Sequence, residues 1–247
     1  MYLYCANSSS QGNAFALVSN KETLLIECGR PLRDIKKAAQ YPQNIVGCIV
    51  SHRHGDHAKY AKDYIKNGIM IYSNSDCVEM VRGKLTTEQL PYAVTLERGR
   101  TYSIGEFRIC PVNVDHDVPD YGYIIYHKEM GSLFFATDCF NIPVEIKHIN
   151  HFLIEANYKD DILKANLSSG LIDRKQYDRL MTSHSSLDNC VEYIKGCGTE
   201  QTNNIILCHL SSRNSHADDF KDKLINSFGI PTYIAEPNMC IELNKEL

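Results

Sequence analysis

The chain has ten cysteines but no Cys-x-x-Cys pair. The thiols stand at 5, 28, 48, 77, 110, 139, 190, 197, 208 and 240, several of them inside apolar runs. That scatter argues against a disulfide framework. It is expected of reduced, mostly buried thiols in a cytoplasmic protein. Long apolar runs are missing too. None approaches the roughly 18 residues that a membrane span needs, so no membrane partner is expected. The first residues, Met1-Tyr2-Leu3-Tyr4-Cys5, give way to polar residues at once. With no basic stretch ahead of an apolar core, no secretory leader is expected. Positive charge is not in excess: 26 Lys and Arg stand against 30 Asp and Glu, a net −4 at pH 7. That removes a global attraction to nucleic acid or to an acidic membrane. Nucleic acid stays open as a partner, because bound divalent ions and a local patch can supply the positive field. There is no internal repeat, no low-complexity tract and no interdomain linker. A length of 247 residues with 43% apolar content suits one large domain or two small ones.

Against these absences stands one dense cluster. An apolar run from Ile45 to Val50 is followed by Ser51-His52-Arg53-His54-Gly55-Asp56-His57-Ala58. Four metal-capable side chains arrive within six residues, in a chain with ten His. The order predicts a buried strand, then a ligand-bearing turn, with the helix pattern starting at Ala58 or Lys59. His52 and His54 are two apart, so on an extended exit they point the same way. Asp56 and His57 sit at the turn into the helix. The spacing can therefore feed two adjacent ions. Imidazoles and a carboxylate are donors that zinc, manganese or iron accepts.

The rest of the chain alternates strand and helix patterns. Strands are expected at 2–5, 14–19, 23–28, 45–50 and 69–72, with helices at 32–41, 58–67 and 75–81. Residues 92–95 and 101–103 read as short strands joined by a turn at Gly99. Strands at 107–114, 123–127 and 132–136 follow, the last two as a hairpin. After the apolar run Phe152-Leu153-Ile154 come three more polar helical segments, at about 158–168, 173–181 and 186–196. A strand at 204–208, a helix at 217–228 and strands at 231–235 and 239–243 close the chain, and the last four residues are expected to fray. Strands in two batches, each needing a covered face, suggest two packed sheets with helices outside. Patterning alone reads as α/β or α+β.

Four later positions repeat the logic of the first cluster. His116 follows Cys110 to Asp115, and Asp138 follows Leu133 to Thr137. Glu155 follows Phe152-Leu153-Ile154, and His209 follows Asn204 to Cys208. Ligands at the carboxyl ends of strands are where α/β proteins keep their sites.

His52, His54, Asp56 and His57 resemble the HxHxDH signature of the metallo-β-lactamase superfamily. Flanking segments narrow the resemblance to its YycJ/WalJ-like branch. Ser8-Ser9-Ser10-Gln11-Gly12-Asn13-Ala14 resembles the branch's SGSSGNA opening, and Glu27-Cys28-Gly29 stands at its Asp-x-Gly. His116 to Tyr123 is similar to its HDxxxPxGY with the Pro displaced. Thr137-Asp138 matches TD, and Glu155-Ala156-Asn157 is similar to ExN. His184-Ser185-Ser186-Leu187-Asp188-Asn189 is a loosened GHLSN, and His209 to Asn214 is similar to HLSxxN. The resemblance spans nearly the whole chain.

It implies a single metallo-β-lactamase-like domain over residues 1–247. The fold would be α/β: an αββα sandwich of two mixed sheets packed face to face, with a mainly helical insert at about 158–200. By the same correspondence His52, His54 and His116 hold one divalent ion, Asp56, His57 and His209 hold a second, and Asp138 bridges them. A carboxylate suits that bridge because each oxygen can take one ion. Such ions sit ~3.5–4 Å apart and share a water or hydroxide that acts as nucleophile. Zinc and manganese both fit five imidazoles and two carboxylates, and iron is a further option. Cys139 and Cys208 adjoin ligands but face the other way on their strands, so both are expected to be core thiols.

Branch members are cytoplasmic metal-dependent phosphoesterases, several linked to 5′-to-3′ exonuclease action on DNA. The resemblance thus implies a two-metal phosphodiester hydrolase acting on DNA rather than RNA. Asp56 would also orient the nucleophile or accept its proton. His184 would contact phosphate or donate a proton to the leaving group. Ser9, Asn13, Ser211 and Asn214 are candidates for substrate contact. Glu155, Asn157 and Asp117 are candidates to steer ligand rings from behind. Lys and Arg mixed with Tyr over 158–200 suit a strand lying over the cleft and equally a solvated helical face. Three other functions compete. A cousin branch cleaves small cyclic phosphodiesters. Thioester or lactam hydrolysis fits poorly with these flanks. A non-catalytic metal-containing module that binds nucleic acid or protein has no need of an intact ligand set with a bridging carboxylate.

Overall fold

The computed structural model describes residues 1–245. Two seven-stranded sheets form the centre. The first comprises β1 (Tyr2–Asn7), β2 (Ala14–Val18), β3 (Thr23–Ile26), β4 (Ile45–Ile49), β5 (Ile71–Ser73), β6 (Ala93–Thr95) and the last strand, β14 (Cys240–Glu242), in the order β14-β1-β2-β3-β4-β5-β6. The second comprises β7 (Tyr102–Ile104), β8 (Phe107–Val114), β9 (Asp120–His127), β10 (Gly131–Ala136), β11 (His151–Glu155), β12 (Asn204–Cys208) and β13 (Thr232–Ile234), in the reverse numerical order β13 to β7. Both are mixed: β1-β2-β3 and β7-β8-β9-β10 pair antiparallel, β3-β4-β5-β6 and β10-β11-β12-β13 pair parallel.

The central strands are buried on both faces, and alternation sorts their residues into layers. Phe15, Leu17, Leu24, Ile26 and Ile49 of the first sheet meet Ile109, Tyr123, Ile125, Leu133, Phe135 and Leu153 of the second in the central core. Ala14, Ala16, Leu25 and Cys48 point the other way, under α1 (Leu32–Ala38), α2 (Gly55–Ala58), α3 (Ala61–Lys66) and α4 (Ser75–Arg82). Phe134, Ala136, Ile205 and Leu207 back the second sheet beneath α7 (Leu187–Cys197) and α8 (Ala217–Phe228). Each fully buried Leu, Ile or Phe among them contributes roughly 1.5–3 kcal/mol. The result is the expected αββα sandwich. The stretch expected as a helical insert holds α5 (Asp160–Ser168), α6 (Arg174–Ser183) and α7. A small core of Tyr158, Leu163 and Ile172 joins α5 to α6. Cys139 and Cys208 are buried core thiols, and all ten cysteines are unpaired.

The expected turn at Gly99 does join the two short strands, and it joins them across layers: β6 ends the first sheet and β7 starts the second. Two details depart from the sequence reading. The helix after the first cluster starts at Gly55, because extended His54 caps it with its carbonyl, which accepts from the N–H groups of His57 and Ala58 at 3.0 and 2.9 Å. It also breaks at Tyr60, whose N–H turns to the Cys28 carbonyl at 3.0 Å. Of the four terminal residues expected to fray, 246 and 247 lie outside the described residues. No helix among the described residues is long and apolar enough to cross a membrane.

Candidate metal centre and its cleft

Register delivers the site. Ala136 pairs with Ile154 and Ile154 with Leu207 across β10, β11 and β12. Asp138 and His209 each lie two residues beyond that line, so they leave the sheet level with one another. His116 comes from the turn between paired Val114 and Asp120. His52, His54, Asp56 and His57 come from the loop after β4 and the first turn of α2. Glu27, Asp138 and His209 all have left-handed backbones, with φ of 63, 49 and 53°. Non-glycine residues occupy that region at a cost of order 1–3 kcal/mol, typically at functional sites. Two glycines let the loops close up. A Cβ on Gly29 would collide with the Asp56 carbonyl, and one on Gly12 with the Gly29 carbonyl. Gly12 thus serves close backbone approach beside the site.

Two donor groups face each other. His52 Nε2 lies 3.0 Å from His54 Nδ1, which lies 3.2 Å from His116 Nε2. The second group is Asp56, His57, Asp138 and His209. In each group the donor atoms lie within 4.8 Å of one another. Asp138 Oδ2 stands 2.9 Å from His57 Nε2 and 3.8 Å from His52 Nε2, and so faces both. Its Oδ1 stands 2.7 Å from His209 Nδ1. A third constellation adds His184 and Glu155 to Asp138 and His209. His184 Nδ1 is 2.7 Å from Glu155 Oε1, and Glu155 Oε2 accepts from the Cys139 and Ser185 N–H groups, both at 3.1 Å.

The electrostatics favour cations. Burial opposes a charged His57, yet Asp138, Glu27 and Asp56 raise its pKa well above normal. Burial likewise opposes charge on His184, but Glu155 and Asp138 raise it to about 9. Burial penalises the charge on Asp138, which His209 and His57 nonetheless hold well below the usual carboxylate range. Burial lowers His52, and the neighbouring His57 ring lowers it further. Behind the rings, His52 Nδ1 meets Ser51 Oγ at 2.9 Å and Asp120 Oδ2 at 3.5 Å, and His57 Nδ1 meets Glu27 Oε2 at 3.5 Å. Glu27 Oε2, His57 Nδ1 and both Asp120 oxygens are buried without a hydrogen-bond partner. Imidazoles backed by carboxylates, with two facing nitrogen- and oxygen-donor groups and no thiolate, suit divalent metal ions.

The other candidates fall into place less evenly. Asp117 Oδ1 faces His54 Nε2 at 3.5 Å and His116 Nε2 at 3.1 Å. The rear nitrogen of His116, Nδ1, instead meets the Ser183 carbonyl at 3.1 Å. Glu155 holds His184 rather than one of the five clustered imidazoles. Asn157 donates to the backbone carbonyl of His209 at 2.7 Å. Ser9 accepts from Asn7 and Gln11 and closes its own loop, so Ser10 lines the cleft in its place. Asn13 lies beneath the site, with Nδ2 3.2 Å from His57 Nε2 and 3.3 Å from the Asp56 carbonyl. Ser211 and Asn214 do line the cleft. It measures about 320 Å³, and the insert supplies Ile172, Gln176, Arg179 and Leu180 to one wall. Sequence reasoning assigned no site role to Asp120 or Arg213; it placed Glu27 only at a motif position and Arg179 only within the basic stretch 158–200. An acid ending the apolar run Thr23 to Ile26 was the available signal for Glu27.

This fold, with its paired donor groups, defines a class. The family described as the β-lactamase superfamily domain matches residues 23–209, and the chain belongs to it. It is a metal-dependent hydrolase of the metallo-β-lactamase fold, in the YycJ/WalJ-like branch. It is 24% identical to exodeoxyribonuclease WalJ of Streptococcus pneumoniae over 225 residues, covering 84% of this chain and 81% of that protein. The metallo-β-lactamase fold protein YhfI of Bacillus subtilis superposes with a TM-score of 0.73 at 14% identity, over 98% of this chain and 99% of its own. A diphosphatase of the PhnP family superposes with a TM-score of 0.70 at 14% identity, over 98% and 97% of the two chains.

Proposed function

We propose that the protein hydrolyses phosphodiester bonds of DNA from a strand end, in the 5′-to-3′ direction, with two divalent ions, zinc or manganese. Iron also fits the donor set. His52, His54 and His116 would hold one ion, Asp56, His57 and His209 the other, with Asp138 between. The position of Asp138 carries this reading, because one of its oxygens faces imidazoles of both groups. The similarity to exodeoxyribonuclease WalJ supports the substrate class. Two bound ions would lower the pKa of a water they share and neutralise charge on phosphate oxygens.

The side chains of the protein do the rest. Asp56, at the rim of the second group, orients the attacking water and takes its proton. His184, fixed by Glu155, gives a proton to the departing oxygen. Ser211 Oγ accepts from the backbone and side-chain N–H groups of Asn214, at 3.2 and 3.1 Å, which leaves its own proton free for a phosphate oxygen. Asn214 is itself pinned by Asn166 at 2.8 Å. The ten unpaired thiols fit a cytoplasmic setting.

A second reading is hydrolysis of a small cyclic phosphodiester. The wall that residues 172–184 raise beside the cleft favours it, as does the likeness to a diphosphatase of the PhnP family. The test is turnover by protein reconstituted with Mn²⁺ or Zn²⁺. Substrates are 5′-labelled single- and double-stranded DNA, matching RNA, cyclic dinucleotides and bis(p-nitrophenyl) phosphate, with Asp138→Ala as control. Mononucleotides released from one end, and lost in the control, are expected. Cleavage of the small diesters alone moves the protein to the second reading. No turnover by fully metal-loaded protein sinks both.

A further inference from the structure

Ten arginines occur in the chain, and most are committed. Arg30, Arg33, Arg53, Arg100 and Arg174 pair with carboxylates, and Arg82 donates to the Ala93 carbonyl. Arg179 and Arg213 are different. Both are exposed, both line the metal cleft, and neither has a carboxylate within 4.0 Å among the described residues. Carboxylates are abundant nearby, yet Asp56, Asp138, Glu155 and Asp117 face imidazoles. The backbone of Arg213 is anchored: Asn166 of α5 donates to its carbonyl at 2.9 Å. Arg179 rides on α6, whose Tyr177 and Leu180 pack against the small core that holds Leu163 of α5 with Tyr158 and Ile172. α5 and α6 therefore anchor the backbone beneath both arginines, while no hydrogen bond or ion pair among the described residues spends their guanidinium donors.

Free guanidinium groups beside a site built for one phosphorus centre need an anion of their own. A guanidinium matches phosphate oxygens in a planar, two-pronged geometry. We propose that Arg179 and Arg213 form a second anion subsite that takes the phosphate next to the scissile one. The ligand class is then a nucleotide chain or fragment carrying at least two successive phosphates. For a strand end that second group is either the terminal 5′-phosphate or the next internal phosphate. This deepens the phosphodiesterase reading and rests on it for the position of the scissile group.

The test is calorimetric binding, which does not depend on turnover. Deoxyadenosine 3′,5′-bisphosphate and deoxyadenosine 5′-monophosphate are titrated into wild type and into Arg179→Gln/Arg213→Gln, each with Mn²⁺ and after chelation. One charge-assisted hydrogen-bonded contact corresponds to about ten-fold or more in affinity. The bisphosphate should bind wild type at least about ten-fold tighter than the monophosphate, and that ratio should collapse toward one in the double variant. A wild-type ratio near one, a ratio unchanged by the substitutions, or no binding of either nucleotide overturns the subsite. Oligonucleotides with and without a 5′-phosphate then separate its two sources: a preference for the phosphorylated end, lost in the variant, assigns the terminal phosphate. Equal cutting of both ends with a raised KM in the variant assigns the internal one. A protein that cuts strands without the binding ratio keeps the nuclease reading and loses the subsite. One with the ratio that cuts no strand does the reverse.

Discussion

Glu27 Oε2 faces His57 Nδ1 across 3.5 Å in the buried floor of the site, and neither atom has a hydrogen-bond partner. A cation at Nε2 leaves the ring proton on Nδ1, pointed at Glu27. The carboxylate therefore both orients the ring and strengthens it as a donor. Glu27→Gln keeps an oxygen for the Ser51 N–H, which now donates to Oε1 at 3.1 Å, but loses the charge. Metal affinity should fall about 10- to 100-fold, with the fold retained. Competition with a chromophoric chelator measures it, and unchanged affinity would remove Glu27 from the site.

Asp138 should be harder to lose. Among the described residues it is the one carboxylate whose oxygen faces both imidazole groups. Asp138→Asn retains shape and a single acceptor oxygen. We expect bound metal to drop from two ions to one or fewer per chain, and turnover to fall at least about 10³-fold, the scale of several kcal/mol in the barrier. Elemental analysis beside kinetics decides. Two tightly held ions in an inactive variant would assign Asp138 to chemistry and not to binding.

His184 and Glu155 make a separable prediction, because their 2.7 Å contact lies beside the metal groups. A proton donor matters most when the departing oxygen is a poor leaving group. His184→Gln should therefore slow cleavage of DNA about 10²-fold or more. It should slow bis(p-nitrophenyl) phosphate, whose phenolate leaves unaided, far less. Glu155→Gln should reproduce the pattern more weakly. Equal losses on both substrates would mean that His184 serves metal or substrate binding.

Legibility in the sequence followed distance along the chain. His52, His54, Asp56 and His57 were readable because one turn holds them. His116, Asp138 and His209 each end an apolar run, so their positions were readable, while their convergence depends on a register that no local pattern states. Glu27 and His57 are thirty residues apart and meet only because β3 pairs parallel with β4. Arg179 reaches the cleft from the insert and Arg213 from the loop after β12, and only tertiary packing brings the two together. The start of α2 was hidden because the cap is a backbone carbonyl of His54, and Gly55 carries no side chain to mark a helical face. The turn at Gly99 was legible and its passage from one sheet to the other was not, because short strands either side of a Gly fit a hairpin equally well. Only the presence of two sheets distinguishes a crossing.

His151 yields a prediction about stability, away from the metal groups at the opposite end of β11 from Glu155. It is fully buried, with Nε2 3.0 Å from the Met130 carbonyl and Nδ1 3.2 Å from Asn204 Nδ2. The neutral ring satisfies both, donating at Nε2 and accepting at Nδ1. Burial pushes its pKa from 6.5 down to about 4. The folded pKa is therefore below the unfolded one, and as pH falls the unfolded chain takes up the proton first. The contribution of His151 to stability is complete above about pH 6.5 and is lost as pH falls toward 4. Its full size is on the order of 3 kcal/mol, from about 1.4 kcal/mol per pKa unit. Urea unfolding of metal-free wild type and His151→Gln at pH 7.5, 5.5 and 4.5 isolates it, since all other groups titrate in both proteins. Wild type should be the more stable at pH 7.5, and its advantage should shrink steadily toward pH 4.5. A constant difference across that range would show that His151 is not held neutral by the fold.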